Sequence, residues 1–229
     1  CVMSTRIPTR QKTGFAQMEK LQQELQELLQ KARPYTQEGQ VSDDIPALKK
    51  TNPHWLGMTI VSAGGKEIAA GDVQVRFPLQ GISKVFALIQ ALMDCGRDEV
   101  FRHVGMEPMG EPHDVLSLTR IRSIPPSGEG RKPANPFVSS GAILVSSLIK
   151  GESAQEKLER LLRFIRVISG NPTIRVNEQI YLEEKKKNHR HWAVAHLLRE
   201  RGLLQDDAEE ALDVYFMQCA IEVSCRDLA

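Results

Sequence analysis

The feature that most limits the fold of this chain is a segment through which no long helix or strand can run. Residues 105–136 contain ten glycines and prolines. Proline lacks a backbone donor and has a fixed φ, so it ends helices and interrupts strand pairing. We therefore predict a long loop with short elements here, and loops of this length are often functional.

Three elements are predicted before the loop. An amphipathic helix starts at Gln17 and stops at Pro34, because four leucines recur at helical spacing: Leu21, Leu25, Leu28 and Leu29. Alternating residues on both sides of a Gly-Gly pair predict a β-hairpin over residues 58–70. The helix that follows, Ile82–Cys95, is so apolar that we expect it to be buried with the hairpin packed on it.

The part after the loop is predicted to be helical. Periodic apolar residues indicate helices at Ser139–Ile149, Ala154–Ser169 and Ala208–Cys225, with less regular helical structure in 176–204. Two strands alone do not make a stable sheet, so we expect further strands after residue 229. The predicted fold class is therefore α+β: an antiparallel sheet, of which only the N-terminal hairpin is present, with a helical cluster.

The charge balance excludes several classes of partner. The chain has 30 Lys and Arg against 29 Asp and Glu, which offers no basic surface for nucleic acid or an anionic membrane. No apolar run approaches the roughly 18 residues of a membrane span. The ligand is therefore expected to be a small molecule.

Cysteine, histidine and glycine patterns argue against metals and cofactors. The four cysteines form no C-x-x-C pair, which favours free thiols in a reducing compartment and a cytoplasmic location. His189, His191 and His196 do not converge on one helix face, and no acid or thiol completes a ligand set, so no metal site is predicted. The glycine-rich stretches lack nucleotide-binding patterns. No cofactor is expected.

Five longer motifs suggest a family. They are NPHWLGMTIVSAGGKEIAAGD, FPLQGISKVFAL, VFRHVGMEPMGEPHD, KPANPFVSSGAILVSSLIKG and LDVYFMQCAIEVSCRDLA. In this order and spacing they resemble the serine-dependent glutaminases, whose fold is similar to that of serine β-lactamases and penicillin-binding proteins. The resemblance runs from about Leu21 to Ala229.

The chain is expected to have two parts. Residues 1–17 form a flexible N-terminal tail, although Arg6, Arg10 and Lys12 without an acid also suggest an organellar leader. The resemblance implies that residues 18–229 form an incomplete glutaminase-like domain. Members of the family continue with a segment that carries the remaining strands, another active-site tyrosine and an oxyanion-hole amide. The family further implies a homo-oligomer.

The activity implied by the resemblance is hydrolysis of the side-chain amide of L-glutamine to L-glutamate and ammonia through an acyl-enzyme. The serine of such an enzyme must lose its proton to a base, and burial lowers the pKa of a lysine enough for that task. The motifs place Lys84 at the position of this base. They place Tyr215 at the position of its partner in proton transfer.

Several positions depart from the family pattern. The nucleophile position falls on Gly81, and Ser83 cannot replace it, because neighbouring residues on a helix point about 100° apart. The implied substrate-binding positions keep one glutamate, replace two asparagines and replace a tyrosine. The kept glutamate is Glu184, the two asparagines are replaced by Ser139 and His191, and the tyrosine is replaced by Asp44. Gln80, which precedes the nucleophile position, is also included among the substrate-binding residues.

Two functions remain open from the sequence. The first is a glutaminase-family amidohydrolase that retains Lys84 and Tyr215 for proton transfer. The second is a catalytically inactive relative that binds L-glutamine or a related amino acid, or that assembles with a partner. Gly81 favours the second for activity, since a glycine cannot be acylated.

Overall fold

A computed structural model describes residues 14–108 and 132–229. Most of the predicted loop, and all but the end of the predicted tail, lie outside the described residues. The chain divides into two compact units. The hairpin unit comprises the described residues up to Asp44, Leu48–Phe77 and Val223–Ala229, and the helical unit comprises Ile45–Ala47 and the described residues of Pro78–Glu222.

The hairpin unit pairs one helix with two strands. Helix α1 (Gly14–Ala32) is followed by two short 3-10 helices, Arg33–Gln37 and Leu48–Lys50, and by strands β1 (Gly57–Val61) and β2 (Glu67–Gly71). The strands are antiparallel, with Gly57 opposite Gly71 and Val61 opposite Glu67. The predicted hairpin is therefore confirmed.

The core of the hairpin unit lies between α1 and β2. Its buried cluster consists of Leu25 and Leu29 of the helix and Ile68 and Ala70 of the strand. The side chain of Gln22 adds to this contact, because it donates to the carbonyl of Ala69 and accepts from its amide, at 2.8 and 3.3 Å. Helix α1 therefore packs on the hairpin, where the sequence analysis expected the apolar helix Ile82–Cys95.

The helical unit contains a 3-10 turn, Gln80–Ile82, and seven helices in the described residues. They are α2 (Ser83–Cys95), α3 (Arg97–His103), α4 (Ser139–Ser147), α5 (Ala154–Ser169), α6 (Glu178–Lys187), α7 (His189–Glu200) and α8 (Ala208–Cys219). Helix α8 is central, since it packs against α4, α5, α6 and α7 and buries nine of its twelve residues. Within the described ranges every helix is too short or too polar to cross a lipid bilayer.

Three short strands were missed by the sequence analysis. They are β3 (Phe77–Pro78), β4 (Arg175–Val176) and β5 (Ile221–Val223), and they form a sheet of order β3-β5-β4. The predicted helix Ala208–Cys225 is wrong at its end, because the chain leaves the helix after Cys219 and Ile221 pairs with Val176. The expectation that the hairpin is the only sheet structure present is corrected accordingly.

Helix α2 does not bury the face that its composition predicts. Its buried residues are small or polar, namely Ser83, Lys84, Ala87, Gln90 and Ala91. The apolar side chains of Val85, Ile89 and Met93 are exposed. The expectation of a helix buried through its large apolar residues is therefore wrong, because the alanines allow α2 to approach α4 and α5 closely. This packing turns the polar residues of α2 inward.

The start of helix α5 provides a test of local stability. Ser153 is its N-cap and accepts from the amide of Glu156, whose carboxylate in turn accepts from the amide of Glu152 at 2.9 Å. Replacing an N-cap serine by alanine leaves an amide unsatisfied and lowers stability by about 1 kcal/mol. We expect this loss for Ser153→Ala in urea unfolding, whereas Ser153→Asp keeps the cap. Equal losses in both variants would contradict the capping role.

Candidate active site

Lys84 lies in the first turn of α2, and its side chain is almost fully buried, with 6% of the residue exposed. Its Nζ donates to the carbonyl of Phe137 at 2.8 Å, just before α4 begins. Burial lowers the pKa of the amine below its ordinary value, an effect that Cys219 partly opposes. An amine of this kind is neutral over more of the pH range than a lysine in water, and can therefore accept a proton.

Tyr215 lies on α8 and is also buried. Its hydroxyl interacts with the side chains of Ser139 and Cys219. Burial raises the pKa of this hydroxyl well above the ordinary value, and the neighbouring Cys219 and Glu184 add to the rise. Tyr215 therefore stays protonated at neutral pH and acts as a hydrogen-bond donor.

Cys219 joins the residues on α2 to those on α8. Its Sγ accepts a hydrogen bond from the hydroxyl of Ser83 at 3.8 Å, and it influences the pKa of both Lys84 and Tyr215. Burial raises the pKa of the Cys219 thiol to about 12, so the thiol is neutral. Sequence reasoning missed this residue. Its position four residues after Tyr215, on the same helix face, is the signal that would have indicated it.

Glu184 and His191 come from the two helices that precede α8 in the chain, α6 and α7. Glu184 is 7% exposed, and burial raises its pKa to about 7, while the amide of Gln80 opposes the rise. The ring of His191 stacks on Tyr215 with centroids 5.1 Å apart. Burial lowers the pKa of His191 to about 4, and the charge of Lys84 contributes to this. Glu184 and His191 are thus uncharged over part of the pH range in which a glutamate or a histidine in water is ionised.

Unsatisfied polar atoms concentrate at this site. Of six buried side-chain polar atoms that lack a hydrogen-bond partner in the described part of the chain, four belong to three of these residues: Nε2 of Gln80, Oε2 of Glu184, and Nδ1 and Nε2 of His191. Leaving a buried polar atom unpaired costs about 1–3 kcal/mol. Such a cluster is typical of a site that a polar ligand completes.

The backbone at Gln80 is strained. Its φ is 46°, in the left-handed region that non-glycine residues rarely adopt. Conformations of this kind cluster at functional sites, where the surrounding structure enforces them. The strain therefore agrees with the position of Gln80 beside the unsatisfied atoms.

Gly81 is exposed, and a Cβ atom built on it would meet nothing within 4 Å. Lys84 follows it by three residues, which on a helical path places the two positions on the same face. Ser83 is fully buried, and its hydroxyl donates to the carbonyl of Gln80 at 2.7 Å. No nucleophilic side chain therefore stands at position 81, and the neighbouring serine is engaged elsewhere.

The helical unit thus brings together most of the residues that the sequence analysis selected: Gln80, Gly81, Lys84, Ser139, Glu184, His191 and Tyr215. Asp44 belongs to the hairpin unit, where it is exposed and its carboxylate accepts from the hydroxyl of Ser42 at 3.2 Å. In the described residues no three side chains of His, Cys, Asp or Glu converge as metal ligands. The arrangement can hold a small polar ligand and move protons, using an amine, a phenol, a carboxyl group and a neutral imidazole.

Comparisons with known proteins agree with the motifs. The sequence profile of the glutaminase family matches residues 39–229. Glutaminase 2 of Clostridium perfringens is 43% identical over 206 residues, which cover 90% of this chain and 65% of that protein. The glutaminase of Geobacillus thermodenitrificans is 42% identical, with coverages of 90% and 65%. The chain thus spans about two thirds of the length of these curated relatives.

Solved structures give the same assignment. The probable glutaminase of Bacillus subtilis superposes with a TM-score of 0.80 at 33% identity, over 92% of this chain and 62% of that one. A crystal structure of Mglu gives a TM-score of 0.83 at 30% identity, over 91% and 50% of the two chains. The predicted α+β fold is confirmed by these similarities. From its sequence and its fold alike, this chain belongs to the glutaminase family.

Proposed function

We propose that the helical unit binds L-glutamine or a closely related amino acid, and that it does not hydrolyse the amide through a serine acyl-enzyme. The observation that carries the proposal is the cluster of unsatisfied buried atoms on Gln80, Glu184 and His191 beside a glycine at position 81. The cluster favours a ligand, and the glycine removes the usual nucleophile.

The chemistry of the cluster suits an amino acid. A ligand ammonium requires a carboxylate acceptor, and Glu184 is the buried carboxyl group of the site. Gln80 supplies an amide donor, and a neutral His191 supplies one donor and one acceptor for the ligand's remaining polar groups. Among the similar structures, one is described as Mglu in its glutamate form, and one as the Bacillus subtilis protein complexed with 6-diazo-5-oxo-L-norleucine.

Two neighbouring groups are poor substitutes for the missing serine. The hydroxyl of Ser83 already donates to a backbone carbonyl and is fully buried. Cys219 is buried as well, and its pKa of about 12 leaves almost no thiolate, which is the nucleophilic form. Hydrolysis by the family route is therefore expected to be very slow.

Titration calorimetry with L-glutamine and L-glutamate tests the binding, with D-glutamine as the stereochemical control. We expect one site per chain and an affinity reduced about tenfold or more by Glu184→Gln, since charged hydrogen bonds contribute roughly 1.5–3 kcal/mol. Glu178→Gln is the matched control, because Glu178 is exposed on the same helix. A dissociation constant above about 10 mM, which corresponds to a binding free energy of roughly 3 kcal/mol, would overturn the proposal. Equal losses of affinity in Glu184→Gln and Glu178→Gln would overturn it as well.

A second candidate function is slow hydrolysis in which water replaces the serine. The buried amine of Lys84 and the hydroxyl of Tyr215 favour it, because together they provide a base and a donor. Ammonia release that disappears in Lys84→Met, while binding persists, would support this candidate over binding alone.

A further inference from the structure

Two lysines of the helical unit are almost fully buried, and their partners differ. Lys157 is 4% exposed and forms ion pairs with Asp206 and Glu210. Lys84 bonds to a backbone carbonyl, and in residues 14–108 and 132–229 no carboxylate lies within ion-pair distance of it. A buried ammonium without a carboxylate is poorly stabilised, so burial shifts Lys84 toward the neutral amine relative to a lysine in water.

The titratable neighbours of Lys84 do not reverse this preference. Cys219, on α8, is a neutral thiol at neutral pH, and His191, on α7, is a neutral ring. Neither supplies the negative charge that would hold an ammonium. The nitrogen of Lys84 therefore carries a free lone pair in a larger fraction of molecules than a lysine in water does, which makes it a potential nucleophile.

The helix position one turn before Lys84 is open to solvent. Gly81 lies one helical turn before it, is exposed, and leaves the position of a Cβ empty to 4 Å. A side chain at position 81 would occupy the face that Lys84 shares. The lack of a side chain at position 81 removes one obstacle between solvent and the amine.

We propose that Lys84 is a reactive amine that forms an imine with small 2-oxo acids. The nitrogen attacks the carbonyl carbon, the carbonyl π electrons move to oxygen, and the resulting carbinolamine loses water to give C=N. Amine and ketone or aldehyde thus yield imine and water, with no oxidant or reductant. In the proposed step, Glu184, which is protonated below about pH 7, gives the departing hydroxyl its proton.

The unsatisfied donors favour a 2-oxo acid over a simple aldehyde. The N–H of the neutral His191 ring lacks a partner in the described residues, and Nε2 of Gln80 has only its contact with the Glu184 carboxyl, so a carboxylate offers an acceptor to both. This reaction goes beyond amino-acid binding, because an amino acid carries no carbonyl carbon that an amine attacks readily. If no imine forms, the proposed amino-acid binding is therefore unaffected.

Reductive trapping tests the reaction on the unaltered chain. The protein is incubated near neutral pH with glyoxylate and cyanoborohydride, which converts the imine to a stable carboxymethyl-lysine, and each lysine is quantified by peptide mass spectrometry. We expect Lys84 to be modified several times faster than the exposed Lys20, because burial favours the neutral, nucleophilic form of its amine. The ion-paired Lys157 should be the slowest of the three.

Two comparisons complete the test. Propanal in place of glyoxylate should label Lys84 more slowly if the unsatisfied donors recognise the carboxylate. Gly81→Val should suppress labelling of Lys84 by closing the opening, whereas Gly39→Val, at an exposed glycine with nothing within 4 Å, should not. Modification of Lys84 no faster than that of Lys20, in the unaltered and folded chain, would overturn the proposal.

Discussion

Replacing Gly81 by serine is expected to raise the rate of ammonia release from L-glutamine at least about a hundredfold over the unaltered chain. Loss of the nucleophile costs on the order of six decades of rate in a serine hydrolase. We expect only part of this to return, because Ser139 and His191 also depart from the family pattern. Even partial recovery would be the largest single effect predicted for this protein.

The structure favours recovery for two reasons. A Cβ at position 81 meets nothing within 4 Å, so the new side chain enters without displacing a neighbour. The buried amine of Lys84 lies three residues later and can take the proton of the serine. Beside the retained Lys84 and Tyr215, the nucleophilic hydroxyl is therefore the part that this substitution restores.

Two controls isolate the contribution of the hydroxyl. Gly81→Ala introduces the same Cβ without the oxygen and should stay at the rate of the unaltered chain. The double variant Gly81→Ser with Lys84→Met should lose the gain, because the serine then has no base. If Gly81→Ser releases ammonia no faster than Gly81→Ala, the assignment of position 81 as the vacated nucleophile position is wrong.

Stability should depend on pH through two opposing groups, Glu184 and His191. Glu184 has a pKa of about 7 in the folded state against 4.5 in the unfolded one. Its favourable contribution is complete below pH 4.5 and is lost as the pH rises to about 7. His191 has a pKa of about 4 against 6.5, so its contribution is complete above pH 6.5 and is lost as the pH falls to about 4. Each shift corresponds to about 3 kcal/mol.

In the unaltered chain the two effects largely cancel between pH 4.5 and 6.5, and single variants should reveal them. Relative to the unaltered chain, Glu184→Gln should gain about 3 kcal/mol of unfolding free energy as the pH rises from 4.5 to 7. His191→Asn should lose a similar amount as the pH rises from 4 to 6.5. Urea unfolding at several pH values measures both slopes.

Matched controls for this experiment are Glu178→Gln and His189→Asn, which change exposed residues on the same two helices. Their stability relative to the unaltered chain should vary little with pH. If the stability of the Glu184 and His191 variants relative to the unaltered chain is also independent of pH, these side chains are not buried as described.

The sequence predicted the elements that carry strong local signals. Helix Ala154–Ser169 was predicted with its observed bounds, because apolar residues recur regularly between a serine cap and Gly170, whose φ of 65° suits a helix end. Strand β5 was missed, since the short apolar run of Ile221 and Val223 directly follows an apolar helix and periodicity cannot separate the two. The exposed apolar side of α2 was also missed, because composition does not tell which face of a helix is buried.

Part of the candidate site was predicted from similarity to family sequences, whereas the helices and strands were predicted from local patterns. Lys84 and Tyr215 were selected because they occupy positions in the motifs, and Glu184 and His191 because of a looser alignment between two motifs. The helical unit contains all four. The role of Cys219 and the unsatisfied atoms of Gln80 and His191 depend on which side chains tertiary packing brings together. A single sequence carries little information on such contacts, so these features emerge only from the structure.

Proton NMR of L-glutamine mixed with the unaltered chain tests the proposed function most directly, because it follows binding and conversion in one sample. Saturation of the protein should transfer to the glutamine resonances, and less so with Glu184→Gln, while no glutamate resonances accumulate over hours. Absence of transfer would contradict binding at this site. Rapid growth of glutamate resonances would contradict the loss of serine chemistry at position 81.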